Sequence, residues 1–321
     1  MTHSFKLSRR IARLRVPVFA AMITLVGCNG TDSVSPSSST PLAPGDQSSP
    51  AAAPANDPSL SPVSFSTVSF AGGIPIGTFA QPTPEFGSRY NGAMRNIGPS
   101  QLMSELSAIK ARGGKVILNF SGNPKYFKDA SGHFSMDKWK QRVARYKGIN
   151  FSSYINDGTI IGHFLLDEPN DPANWNGRAL SSSTVDQMAQ YSKQLWSSLT
   201  TIVRSEPGYF GTMHYLDAAW AQYLARKGTA SDYINRNVND AKNRGLQLVI
   251  GMNIINGGTP NGDKMTASEI KSWGTTLLGS SYPCAFISWT YDDNYLSSSS
   301  IKDAMDALRN KAENRSTKSC H

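Results

Sequence analysis

Two adjacent carboxylates, Asp167 and Glu168, close an apolar run at residues 159–166, and Pro169 follows at once. The run has the length and composition of a strand buried on both faces, and proline stops it. A buried strand that hands two acids to the loop beyond its carboxyl end exposes them to a substrate, and core packing gives no reason to place them there. Paired acids carry proton-transfer and nucleophilic chemistry, because burial and mutual repulsion push their pKa values apart. Other ends of candidate strands, and the loops that follow, supply Asn119 and Ser121, Asp171, His214, Tyr215 and Asp217, and Tyr223. Later ones add Asn253 and Asn256, then Trp289, Tyr291, Asp292 and Asp293. Carboxylates for acid and nucleophile work, amides for hydroxyl groups and flat rings for sugar faces are the mixture a saccharide site needs.

The elements that must position these residues alternate in type. Apolar runs at 74–79, 115–120, 159–167, 209–214, 218–223, 246–255 and 284–289 read as strands. Between them lie amphipathic helices opened by Ser100, Ser135, Ser183, the 231–243 segment, the capping box Thr266-Ala267-Ser268-Glu269, and Ser300. The helix from Ser183 runs through Leu199, Ile202 and Val203 in this reading. Strand and helix in alternation demand parallel strands, and residues 67–321 make up about 255 residues, the usual size of a (β/α)8 barrel. Seven strands are visible. The eighth βα unit is irregular or missing, hidden in residues 68–72 or 151–157. His163, mid-strand among apolar neighbours, reads as a core histidine, and Trp139 and Trp196 as packing residues.

Phe164-Leu165-Leu166-Asp167-Glu168-Pro169 resembles the strand-end motif of barrel glycoside hydrolases of the retaining, two-carboxylate kind. In that superfamily a strand-end Glu, commonly preceded by Asn and followed by Pro, is the acid/base. The resemblance places that role on Glu168. The chain departs from the pattern in two ways. Asp167 stands where Asn is usual, adding a second charge beside Glu168, and no late strand ends in the Glu that would be the nucleophile. Asp292 or Asp293 is left as the second carboxylate, since Glu269 is taken by its capping box. Asp167, Asn119, His214, Tyr215, Asn253 and Tyr291 are the expected substrate contacts, with Trp175 and Trp289 as sugar platforms. A glycoside-hydrolase-like protein acting on a polysaccharide is one reading. A non-catalytic carbohydrate-binding barrel that kept the cleft and lost the nucleophile is the other. No metal-ligand spacing, nucleophile elbow or phosphate loop points to a metal, cofactor or other chemistry.

The amino end has a different composition. Lys6, Arg9, Arg10, Arg13 and Arg15 precede an apolar stretch at 16–27 that is too short to span a bilayer, which takes about 20 residues. It closes on Leu25-Val26-Gly27-Cys28, which resembles the lipobox of bacterial lipoproteins and implies cleavage before Cys28 and its acylation. Residues 28–66 are rich in Pro, Ser and Ala, with no aromatic before Phe65. They cannot bury enough apolar surface to fold and so form a disordered tether. The expected product is exported and lipid-anchored to a bacterial membrane, a monomer divided at 1–27, 28–66 and 67–321. Of 32 basic and 23 acidic residues, removing those five leaves 27 against 23, about +4, which is no footprint for nucleic acid.

With Cys28 acylated, Cys284 and Cys320 remain in an exported domain where disulfides persist. Cys284 starts the last strand at the foot of the barrel, and the final helix descends about 22 Å back to that face. A Cys284–Cys320 bridge is therefore predicted. It would close a loop of about 37 residues and contribute roughly 3–4 kcal/mol in the chain-entropy model.

Overall fold

The computed structural model describes residues 72–260 and 262–321. The signal segment, Cys28, the tether and residues 67–71 lie outside the described residues. Eight parallel strands close into a barrel in sequence order, so the (β/α)8 fold read from the sequence is the fold of the protein. The strands are β1 (Ile76–Phe79), β2 (Gly92–Arg95), β3 (Lys115–Leu118), β4 (Ile160–Asp167), β5 (Thr201–Arg204), β6 (Ala218–Tyr223), β7 (Gln247–Met252) and β8 (Ala285–Ser288). The helices are α1 (Leu102–Ala111), α2 (Met136–Ala144), α3 (Ser152–Asn156), α4 (Ser182–Leu195), α5 (Ala230–Asn243), α6 (Ala267–Leu277), α7 (Asp293–Leu296) and α8 (Ser299–Glu313).

The eighth strand is β2, in neither segment where it was sought, and 152–156 is the short helix α3. Gly-Ala-Met-Arg has no apolar run to betray it. Gly92 is there because the backbones of β1 and β2 approach closely. Gly77 pairs with Gly92, and a Cβ on Gly77 would come within 1.7 Å of the Gly92 carbonyl oxygen. The second correction lies at β5. The helix α4 stops at Leu195, and the strand is Thr201–Arg204, not 209–214. Leu199, Ile202 and Val203 continue the helical spacing of α4, but the β-branched Thr200-Thr201-Ile202-Val203 run favours an extended chain. Ser181, not Ser183, caps α4, and Ser298, not Ser300, precedes α8. Ser135 and the Thr266–Glu269 box cap as expected.

The core has an inner and an outer layer. Phe79, Met94, Ile117, Phe164, Ile202 and Trp220 fill the barrel with other side chains, while residues of alternate parity, such as Leu165, Val203 and Ile250, pack outward on the helices. The Cys284–Cys320 disulfide joins the start of β8 to the tail after α8, with Cα atoms 5.2 Å apart. His163 points outward from β4 and is fully buried. Its Nδ1 lies 2.8 Å from the Ser192 hydroxyl on α4, its ring packs on Phe120, and Nε2 has no partner among the described residues.

Burial pushes the His163 pKa down from 6.5 to about 3. Between those values the unfolded chain binds more protons. Stability is therefore complete above about pH 6.5 and falls as the pH drops towards 3, by about 1.4 kcal/mol per pH unit from this group. His163→Gln keeps a partner for Ser192 and should flatten that dependence by the same amount. Urea unfolding between about pH 6 and 5, above the carboxylate range, measures it. An unchanged slope would show that His163 is not the titrating group.

Candidate active site at the carboxyl ends of the strands

A cleft of about 950 Å³ opens at the carboxyl ends of the strands, and Asp167, Glu168, Arg204, Trp220, Asn253 and Trp289 all line it. Asp167 ends β4, opposite Arg204 of β5, with the register shifting between Phe164 and Asp167. Glu168 is the residue that turns the chain. Its φ of 40° lies in the left-handed region, where a residue with a Cβ is uncommon and costs about 1–3 kcal/mol. Neighbours hold it there. Its amide donates to the Arg204 carbonyl at 2.9 Å, and its carbonyl accepts from the Asp171 amide and from Trp175 Nε1 at 3.2 Å. Both acids thus reach the cleft, although simple strand alternation would have sent them to opposite faces.

Arg204 holds the site together. It is 8% exposed, bonded to the Asp167 carboxylate, 3.4 Å from the Glu168 carboxylate and 3.0 Å from Gln222 Oε1. Its guanidinium also lies 5.1 Å from the Trp289 ring centroid. Burial alone would lower its pKa. The hydrogen bond to Asp167 and the charges of Asp167 and Glu168 outweigh that and raise it.

The remaining predicted residues divide by place. Asn253 follows β7 and bridges to Trp289 beyond β8, and its Oδ1 accepts from the Asn256 amide at 2.9 Å. A cis peptide joins Trp289 to Thr290. Asn119 lines an adjoining hollow of about 360 Å³ that shares Asp167 and Trp289 with the main cleft. Its carboxamide oxygen is engaged with Ser121 and Gly122. Trp175 is 1% exposed and bonded to the Glu168 carbonyl, so it braces the strand end from behind and offers no open face to a sugar. Tyr291, Asp292 and Asp293 are not among the residues lining the cleft. Asp292 caps α7 and pairs with Lys264 at 2.7 Å, a bond that holds its pKa below the ordinary range. The Tyr291 hydroxyl donates to Asp293 at 3.0 Å, and burial with that bond pushes its pKa up to about 12.

His214 and Tyr215 do not line the cleft and instead pack beside α4 and the start of β5. Their amides bond Asp186, and the Tyr215 carbonyl accepts from Thr201, the first residue of β5. Asp217, beside them, takes the Thr201 amide and Lys193. Reading 209–214 as the strand had placed them at its carboxyl end. With β5 at Thr201–Arg204, the residues that reach the mouth are Arg204, Ser205 and Glu206. Glu206 pairs with Lys227 at 2.5 Å and Arg236 at 3.6 Å. The β-branched run before Arg204 was the available signal for them.

No protein-family model matches this sequence, and no curated protein matches it. Solved structures do. Saccharomyces cerevisiae Gas2 in complex with a small compound is similar at a TM-score of 0.50 and 11% identity, over 78% of this chain and 68% of Gas2. A cellulase–inhibitor complex is similar at a TM-score of 0.51 and 10% identity, over 74% of this chain and 92% of the cellulase. In another Gas2 complex the chain spans 65% of that protein's length. The chain therefore shares the (β/α)8 barrel fold of these structures.

If Arg204 neutralises the cleft as its contacts indicate, Arg204→Met should cost about 3 kcal/mol, because it strands the partly buried Asp167 charge. Adding Asp167→Leu should restore part of that. Urea unfolding of the two variants tests the pairing, and equal losses in single and double variant would refute it.

Proposed function

We propose that the chain is an exported glycoside hydrolase that cuts a polysaccharide in this cleft, Glu168 giving its proton to the leaving glycosidic oxygen. The observation that carries the reading is the conformation of Glu168, held in the left-handed region at the end of β4 with its carboxyl at the cleft. Backbone strain of this kind persists where function requires it. Among the acids lining the cleft, Glu168 is the least committed. Asp167 is bonded to Arg204, Asp171 to the Ala173 amide, Glu206 to Lys227 and Asp240 to Arg244. Trp289 supplies a ring for a sugar face, and Glu206, at the end of the neighbouring strand, is the other glutamate in the cleft. Asp292 and Asp293, the second carboxylates expected from the sequence, lie outside that lining.

One observation favours a second reading, a barrel that binds glycan without cutting it. Asn253, an amide that cannot act as a nucleophile, follows β7, and Trp289 follows β8. A polysaccharide panel separates the two. Under the first reading the purified domain releases reducing ends, and Glu168→Gln lowers that rate by at least about 100-fold, the usual contribution of a general acid. The variant should keep its affinity. Wild-type binding without release would decide for the second reading, and full activity in Glu168→Gln would remove the assignment.

The setting of this reaction belongs to the same proposal. Residues 1–27 are a lipoprotein signal, acylated Cys28 anchors the chain to a bacterial membrane, residues 28–66 give reach, and 67–321 form the monomeric catalytic unit. Its support is the basic, apolar and Leu-Val-Gly-Cys succession. Cys28→Ser should move the protein from the membrane to the soluble fraction. Retention of the unprocessed variant on the membrane would indicate a signal anchor instead.

A further inference from the structure

The walls of the cleft differ in charge. On the β4 side stand Asp167, Glu168 and Asp171, with Arg204 as their one cation in the lining. The part of the lining from the segments after β5 and β6 and from α5 carries Arg226, Lys227 and Arg236. Two acids stand among those cations. Asp240 is taken by Arg244 at 3.2 Å, and Glu206 must serve both Lys227 at 2.5 Å and Arg236 at 3.6 Å. The Arg226 guanidinium makes no hydrogen bond or ion pair among the described residues. The wall is therefore left with about two uncompensated positive charges in a concave surface, where the field of like charges is focused. Arg236 is also fixed in place, its guanidinium 5.3 Å from the Tyr233 ring centroid. The hollow on the far side of Asp167 and Trp289 carries no charged side chain besides Asp167. Asn96, Asn119 and Asn123 line it with Phe79 and Phe127.

Hydroxyls of a neutral sugar need donors and acceptors but no net charge, and amides supply both without mutual repulsion. Three cations suit an anion. Guanidinium groups present paired N–H donors in a plane that matches a carboxylate. We infer that the cleft takes an acidic polysaccharide, with the carboxylate of a hexuronate residue seated on Arg226, Lys227 and Arg236. The neutral hollow receives an uncharged face of the same chain. This inference rests on the proposed function, because it presumes that a glycan occupies the cleft. It adds the class of glycan and the end of the cleft that reads it.

The test compares oligogalacturonate, its methyl ester and a neutral cello-oligosaccharide by calorimetric titration into the whole protein. The ester keeps the sugar and removes only the charge. The acid form should bind at least about tenfold tighter than the ester, as a charge-assisted pair in a partly exposed site would give, and the preference should shrink as salt is raised. Arg226→Gln, an exposed substitution, should bring the acid-to-ester ratio towards one. Trp289→Ala should weaken acid and ester together. Equal affinity for acid and ester, or an unchanged ratio in Arg226→Gln, overturns the inference and leaves the proposed function standing. No binding of any of the three sugars, with no binding across the wider panel, overturns both. A sulfated oligosaccharide serves as the last arm, and tighter binding of it than of the uronate would overturn the carboxylate assignment.

Discussion

A buried guanidinium at the mouth of the barrel is what the rest of the site depends on. Taking one ion out of water costs several kcal/mol, and only close counter-charge and hydrogen bonds offset it. Arg204 ends β5 and is met by Asp167 on β4, by Gln222 on β6 and by the face of Trp289 beyond β8. Four strand ends are thus tied to one cation. The two acids that close β4 therefore do different work. Asp167 neutralises Arg204 and is consumed in doing so, whereas Glu168, 3.4 Å from the same cation and with 43% of its side chain exposed, keeps its carboxylate turned to the cleft.

That division explains why an acid, and not an amide, closes β4. An amide beside Arg204 would share a hydrogen bond but supply no charge, and a guanidinium as buried as this one needs charge. Asp167 is thus the counterpart of a cation on the next strand. The same pairing divides the cleft. Arg204 neutralises Asp167 on the β4 side, which Glu168 and Asp171 leave acidic, and the cations past β6 and on α5 outnumber the acids beside them. Charge, not shape alone, distinguishes the two ends.

The fold was legible where burial leaves a plain signature. A strand covered on both faces must be apolar throughout, so β4, β6, β7 and β8 can be read from composition alone. β2 could not, because it meets β1 through glycine and alanine, and close backbone approach erases the hydrophobic signal it replaces. β5 failed for the opposite reason. Its apolar residues happen to extend the period of α4, and periodicity carries no mark of where a helix stops. Trp196, with φ −143° and ψ 87°, ends it. The Cys284–Cys320 pairing was legible because it follows from the path of the chain and not from local pattern.

At the site, one strand shifted by a few residues changed which residues of the following loop reach the cleft. Tyr215 and His214 fell outside the cleft, against α4 and the start of β5, and Glu206 rose to the mouth, although all three lie on the same connection between β5 and β6. A sequence shows that an acid or a ring is present but not what already holds it. Asp292 is spent on a helix cap and Lys264, Asp186 on three successive amides, Glu269 on its capping box, and Trp175 on a carbonyl. Each has the composition of a catalytic or binding residue, and each is already committed to holding the fold. Glu168 differs because its backbone makes the structural bonds, and its carboxylate, 3.4 Å from Arg204 and 43% exposed, still faces the cleft.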